Sequence, residues 1–138
     1  MTASRRWAFT WAATLTLAAC STVVPPGVED GPATWAHDPA AEIGPETVEF
    51  TAWVTERACA SGRSSEGRIV GPSVTIDDDA VVVTFRVRPL LGGQDCQGNP
   101  PTPVTVRLSE PLGERRLIDG GREPPGEPPV CANPESCE

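Results

Sequence analysis

Between residues 80 and 88 every second side chain is apolar: Val81, Val83, Phe85 and Val87 alternate with Val82, Thr84, Arg86 and Arg88. A period of two sends successive side chains to opposite faces, so this stretch reads as an extended strand with one covered face and not as an amphipathic helix. Residues 47–57 repeat the pattern, with Val48, Phe50, Ala52 and Val54 facing one way and Glu49, Thr51, Trp53, Thr55 and Arg57 the other. Val74-Thr75-Ile76 leads through the polar turn Asp77-Asp78-Asp79 into residues 80–88, which predicts a hairpin with a short loop. Val104, Val106 and Leu108 form another alternating run, and Leu117-Ile118 supplies a last short strand after the turn at Pro111-Leu112-Gly113.

No stretch between residues 46 and 119 carries a helical stripe. Several short antiparallel strands with β-branched interiors predict an all-β domain: a small antiparallel β-sandwich or partly open barrel, immunoglobulin-like in general form. Its flanks read differently. Pro25-Pro26-Gly27, Gly31-Pro32, Asp38-Pro39 and Gly44-Pro45 precede it, and Pro124-Pro125-Gly126 and Pro128-Pro129 follow. Proline and glycine at that density, with neither period sustained, predict disordered ends. The expected division is a signal peptide at 1–19, a tether at 20–45, the β domain at 46–121 and a Pro-rich tail at 122–138.

The first segment has a basic start at Arg5-Arg6, an apolar run over residues 7–19 and small residues before Cys20. That is the anatomy of an export signal, and the run is shorter than the roughly 20 residues a spanning helix needs. Ser4-Arg5-Arg6-Trp7 only partly matches a twin-arginine motif, so the general secretory route is expected. Leu17-Ala18-Ala19-Cys20 resembles the lipobox of bacterial lipoproteins. The resemblance implies a lipidated Cys20 at the mature N-terminus and a protein held at the extracytoplasmic face of the cell membrane. The chain carries a formal charge of −8 and contains no lysine, and losing Arg5 and Arg6 with the signal makes it more acidic still. Such a surface repels phosphate backbones and anionic head groups, so no nucleic-acid partner is expected and the membrane contact is the lipid alone.

Setting Cys20 aside for lipid leaves Cys59, Cys96, Cys131 and Cys137, which allow three pairings in an oxidising compartment. The expected pairing is Cys59 with Cys96 and Cys131 with Cys137. The first closes the longer loop, worth about 4 kcal/mol in the chain-entropy picture against about 2.4 for the tail loop. Without a Cys-x-x-Cys pair, a zinc site from these four is not expected.

Cys59-Ala60-Ser61-Gly62, Gly67-Arg68-Ile69-Val70, the run from Asp95-Cys96-Gln97-Gly98-Asn99-Pro100 to Leu108, Glu110-Pro111-Leu112-Gly113 and Asp119-Gly120-Gly121 resemble the short lipoproteins of actinomycete bacteria, a group without an established activity. The resemblance covers the signal and roughly residues 46–121. It implies location, domain extent and the Cys59–Cys96 bridge, and it brings no catalytic residue.

Candidate chemistry is sparse. His37 is the only histidine, and it falls in the expected tether, where no scaffold would hold it for a triad. The three aspartates at 77–79 lack EF-hand spacing and read as a turn, as Asp95 reads as a loop residue. No phosphate-binding glycine motif or nucleophile elbow occurs. The expectation is therefore a non-enzymatic, lipid-anchored binding or interaction module without cofactor or metal, its partner an envelope protein or glycan. A passive envelope lipoprotein is the first alternative, and an enzyme using carboxylates or serine the second. Among side chains, Trp53, Arg86 and Arg88 are the expected contact residues, because tryptophan and arginine most often anchor interfaces.

Overall fold

The computed structural model describes residues 27–130. Cys20, the signal segment before it and the Cys131–Cys137 pair lie outside the described residues. Six strands follow one another: β1 (Gly31–His37), β2 (Glu49–Glu56), β3 (Ile69–Ile76), β4 (Ala80–Val87), β5 (Thr102–Arg107) and β6 (Arg116–Asp119). They form one sheet in the order β3-β4-β1-β2-β5, with β6 joined to β4. Every pairing is antiparallel except that of β4 with β6. No helix occurs among the described residues. The all-β expectation holds, in the form of a curled, partly open sheet.

The predicted alternation is realised in β2 and β4. Phe50, Ala52 and Val54 are buried on one face of β2, and Val81, Val83, Phe85 and Val87 on the same face of β4. Val48, expected to face inward, precedes β2 and is exposed. The β3–β4 hairpin closes through Asp77–Asp79, with the Asp77 N–H donating to the Ala80 carbonyl at 2.8 Å. Leu117 and Ile118 are buried in β6 as the short last strand.

The main departure from the sequence expectation is β1. Residues 20–45 were expected to form a tether, yet Gly31–His37 is the strand that joins β4 to β2 in the middle of the sheet. Its Trp35 is 2 % exposed and stacks on Phe50 at 5.5 Å, with Phe85 edge-on at 6.5 Å. The segment hid its nature because Ala33-Thr34-Trp35-Ala36 is too short to show a period and is hemmed by Gly31-Pro32 and Asp38-Pro39. Tertiary pairing on both edges supplies what local propensity does not. His37 is accordingly a half-buried strand residue, not a solvated tether histidine. The far end of the domain also extends past 121: Asp119 pairs with Gly126, His37 pairs with Val130, and Pro128 is buried.

Along β4 one edge pairs with β3, while the other is divided. Its Phe85–Val87 end pairs with β1, and its Ala80–Val83 end pairs in parallel with β6. The sheet therefore forks where β1 leaves β4. Two side chains bridge the fork: the Asp119 carboxylate accepts the Trp35 backbone N–H at 3.0 Å, and the Trp35 indole N–H donates to the Val83 carbonyl at 3.0 Å. Cys59 and Cys96 are joined by a disulfide, as expected. It links the loop after β2 to the loop before β5 and so encloses the β3–β4 hairpin.

Candidate functional site

The outward face of β4, β1 and β2 is a lattice set by register. Arg86 on β4 lies opposite Pro32 on β1, and the Arg57 N–H, just past β2, donates to the Pro32 carbonyl at 3.2 Å. Two arginines thus flank one proline. Further along β1, Thr34 lies opposite Thr55 and Ala36 opposite Trp53. The face grades from cationic at one end, through hydroxyls, to aromatic at the other.

The chain after β6 builds a wall on this lattice. Beyond Asp119 it passes the fork as Gly120-Gly121, and only glycine fits there. A Cβ at Gly120 would overlap the Thr84 hydroxyl, and one at Gly121 the Ala33 carbonyl oxygen. The close approach delivers Arg122 and Glu123 to the outward face. Two adjoining cavities of about 320 and 470 Å³ result, and both are lined by Arg57, Arg122 and Glu123. Thr34 and Thr55 line the first, Pro32 and Arg86 the second.

Beneath the cleft lies Asp119, fully buried. Burial in a poorly solvating site raises its pKa, opposed by the N–H groups of Trp35 and Gly121 and by the charges of Arg122 and Arg57. Apart from that distant attraction, the cleft arginines are not neutralised by ion pairs. The four pairs among the described residues are Arg68–Glu56, Arg107–Glu49, Arg115–Glu110 and Arg116–Asp79. Arg86 donates to the neutral carbonyl of Asp30. In a chain of charge −8, Arg57, Arg86 and Arg122 make a local cationic site.

The structure does not gather the expected contact residues into one patch. Trp53 and Arg86 share the outward face, but β1 separates them and they lie at opposite ends of the gradient. Trp53 is half-buried against Ala36, with its indole N–H enclosed and unpartnered. Arg88 lies past the end of β4, its N–H bonded to the Arg68 carbonyl at 2.9 Å. Thr34, Arg122 and Glu123 were missed because they fall in stretches read as tether and tail. The signal that could have found the latter two is Gly120-Gly121, a pair of glycines abutting a strand and followed by two charges.

Other polar clusters serve the fold. Glu56, 3 % exposed, receives both guanidinium nitrogens of Arg68 at 3.0 and 2.5 Å. Arg68 also donates to the carbonyls of Arg88 and Ser64, tying the loop before β3 to the end of β4. Beside the disulfide the Ser61 N–H donates to the Asp95 carbonyl, and the Asp95 N–H donates to the Ser61 hydroxyl. The 77–79 turn sends one carboxylate to Arg116. The described residues contain no cluster of three His, Cys, Asp or Glu suited to a metal ion. Among known family models, curated proteins and solved structures, none matches this chain.

Proposed function

We propose that this protein is a lipid-anchored extracytoplasmic binding module, not an enzyme, and that the arginine-bordered cleft on its outward face is the recognition site. The reading of location draws support from the lipobox at Cys20 and from a disulfide that suits an oxidising compartment. The reading of binding rests above all on one observation: Arg57, Arg86 and Arg122 border a cleft in an acidic chain without an ion pair among them. Guanidinium groups not held in ion pairs are forks preset for an anionic partner.

Two measurements test the proposal. Cys20→Ala should move the protein from the membrane fraction to the medium, since a diacylated residue anchors stably and its loss removes both acyl chains. Detergent partition of the wild type into the aqueous phase would refute the lipid anchor. On intact cells, crosslinking and recovery of an envelope protein or glycan should fall at least tenfold for the Arg57→Gln, Arg122→Gln double variant, roughly the effect of losing two charge-assisted contacts. Recovery equal to wild type would place the binding surface elsewhere.

A further inference from the structure

The cleft is more selective than positive charge alone would make it. Arg86 and Arg57 stand on either side of Pro32, and with strands about 4.8 Å apart their Cα atoms are separated by roughly 10 Å. Arg86 is drawn to the Asp30 carbonyl at the start of β1, whereas Arg122 lines the same two cavities as Arg57. Arg57 and Arg122 therefore face both cavities, whereas Arg86 borders only the second, across Pro32 from Arg57.

The remaining lining narrows the anion. Phosphate is commonly cradled by successive backbone N–H groups. Here the Gly120 N–H is spent on the Val83 carbonyl at 3.0 Å and the Gly121 N–H on Asp119 Oδ1 at 2.8 Å. What the cleft offers is guanidinium forks, which match a carboxylate or a phosphate edge to edge, and the Thr34 side chain. Glu123 lines both cavities, and its charge opposes a phosphate group carrying two charges at one point more than it opposes a single carboxylate. A long polyanion would also meet the acidic remainder of the molecule.

We propose that the cleft binds a short peptide-like chain bearing two carboxylates roughly 10 Å apart, one on Arg57 and Arg122 and the other on Arg86. This rests on the cleft being the recognition site. Between the two subsites the backbone of such a ligand crosses Pro32, which lines the second cavity together with Arg57 and Arg86.

Calorimetric titration of the full-length protein in neutral detergent at low salt tests it with four probes. These are a capped glutamyl-diglycyl-glutamate peptide, the same peptide with one glutamine, the same with two, and inorganic phosphate. The dicarboxylate should bind about tenfold more tightly than the diglutaminyl peptide, with phosphate no tighter than the latter. Arg57→Gln and Arg122→Gln should each weaken the dicarboxylate several-fold. Arg86→Gln should abolish the preference for two carboxylates over one. Glu123→Gln should tighten binding, a gain that misfolding cannot produce. Equal binding of the diglutaminyl peptide, stronger binding of phosphate, or no response to Glu123→Gln would overturn the carboxylate assignment. If that assignment falls while the double arginine variant still loses its partner on cells, the recognition site stands and only the ligand class is wrong.

Discussion

Asp119 has no contact with solvent, and its carboxylate holds the fork by accepting N–H groups from Trp35 and Gly121. Because burial raises its pKa from the ordinary 3.8, the folded state keeps the proton at pH values where the unfolded chain has lost it. Stability from this group is therefore greatest in acid and declines as pH rises through the folded pKa, then levels off. Asp119→Asn removes the titration while keeping one acceptor. Relative to wild type, the melting temperature of the variant should rise as pH climbs above 3.8, through the range where the unfolded chain has already lost the proton. A gap that stays constant across that range would mean that burial does not govern this carboxyl. Glu56 poses a different question, since its side chain is 1 % exposed and paired with Arg68. Arg68→Met would strand a buried charge and should cost about 3–5 kcal/mol in urea denaturation. Arg107→Met breaks a pair whose arginine side chain is 79 % exposed, and should cost under about 1 kcal/mol. Similar losses would indicate that Glu56 is reached by water.

At the scale of elements, β1 and the disulfide divide the stabilising work. Among the described residues Trp35 is the largest fully buried side chain, so Trp35→Ala should cost about 3–5 kcal/mol. A flexible tether would tolerate the change, so an unchanged melting curve would remove β1 from the sheet. Cys59→Ser opens a bridge with a sequence separation of 37, and a loss of about 4 kcal/mol should lower the melting temperature by on the order of 15 °C or more. Cys137→Ser, closing at most a short loop, should lower it much less. The strands that could be read directly were those with room to alternate. Residues 80–88 show four inward apolar positions in a row, and β2 and the hairpin turn follow from the same rule. β1 could not be read that way, because its pairing partners are distant in sequence and its flanking prolines mimic a linker. The candidate site suffered for the same reason: Arg57 and Arg86 were placed on the correct face, but the proline between them and the Arg122 wall belong to segments whose structure is imposed by the rest of the sheet.

For the molecule as a whole, charge separates function from solubility. The chain has a formal charge of −8, which disfavours anionic surfaces in general, and the cleft reverses that sign over a few residues. The central place of β1 also sets a limit on reach. If Cys20 carries the lipid as proposed, residues 21–30 alone separate the anchor from the first strand, and this leash of ten residues reaches at most about 35 Å. That leash enters the sheet beside Pro32, at the cationic end of the outward face. Under the proposed anchoring, the cleft would sample a shallow layer next to the membrane and not the depth of the envelope. Doubling the leash with a Gly/Ser insertion after residue 22 should let crosslinks reach partners further out without changing the melting temperature; a ligand population indifferent to leash length would mean that the partner itself comes to the membrane.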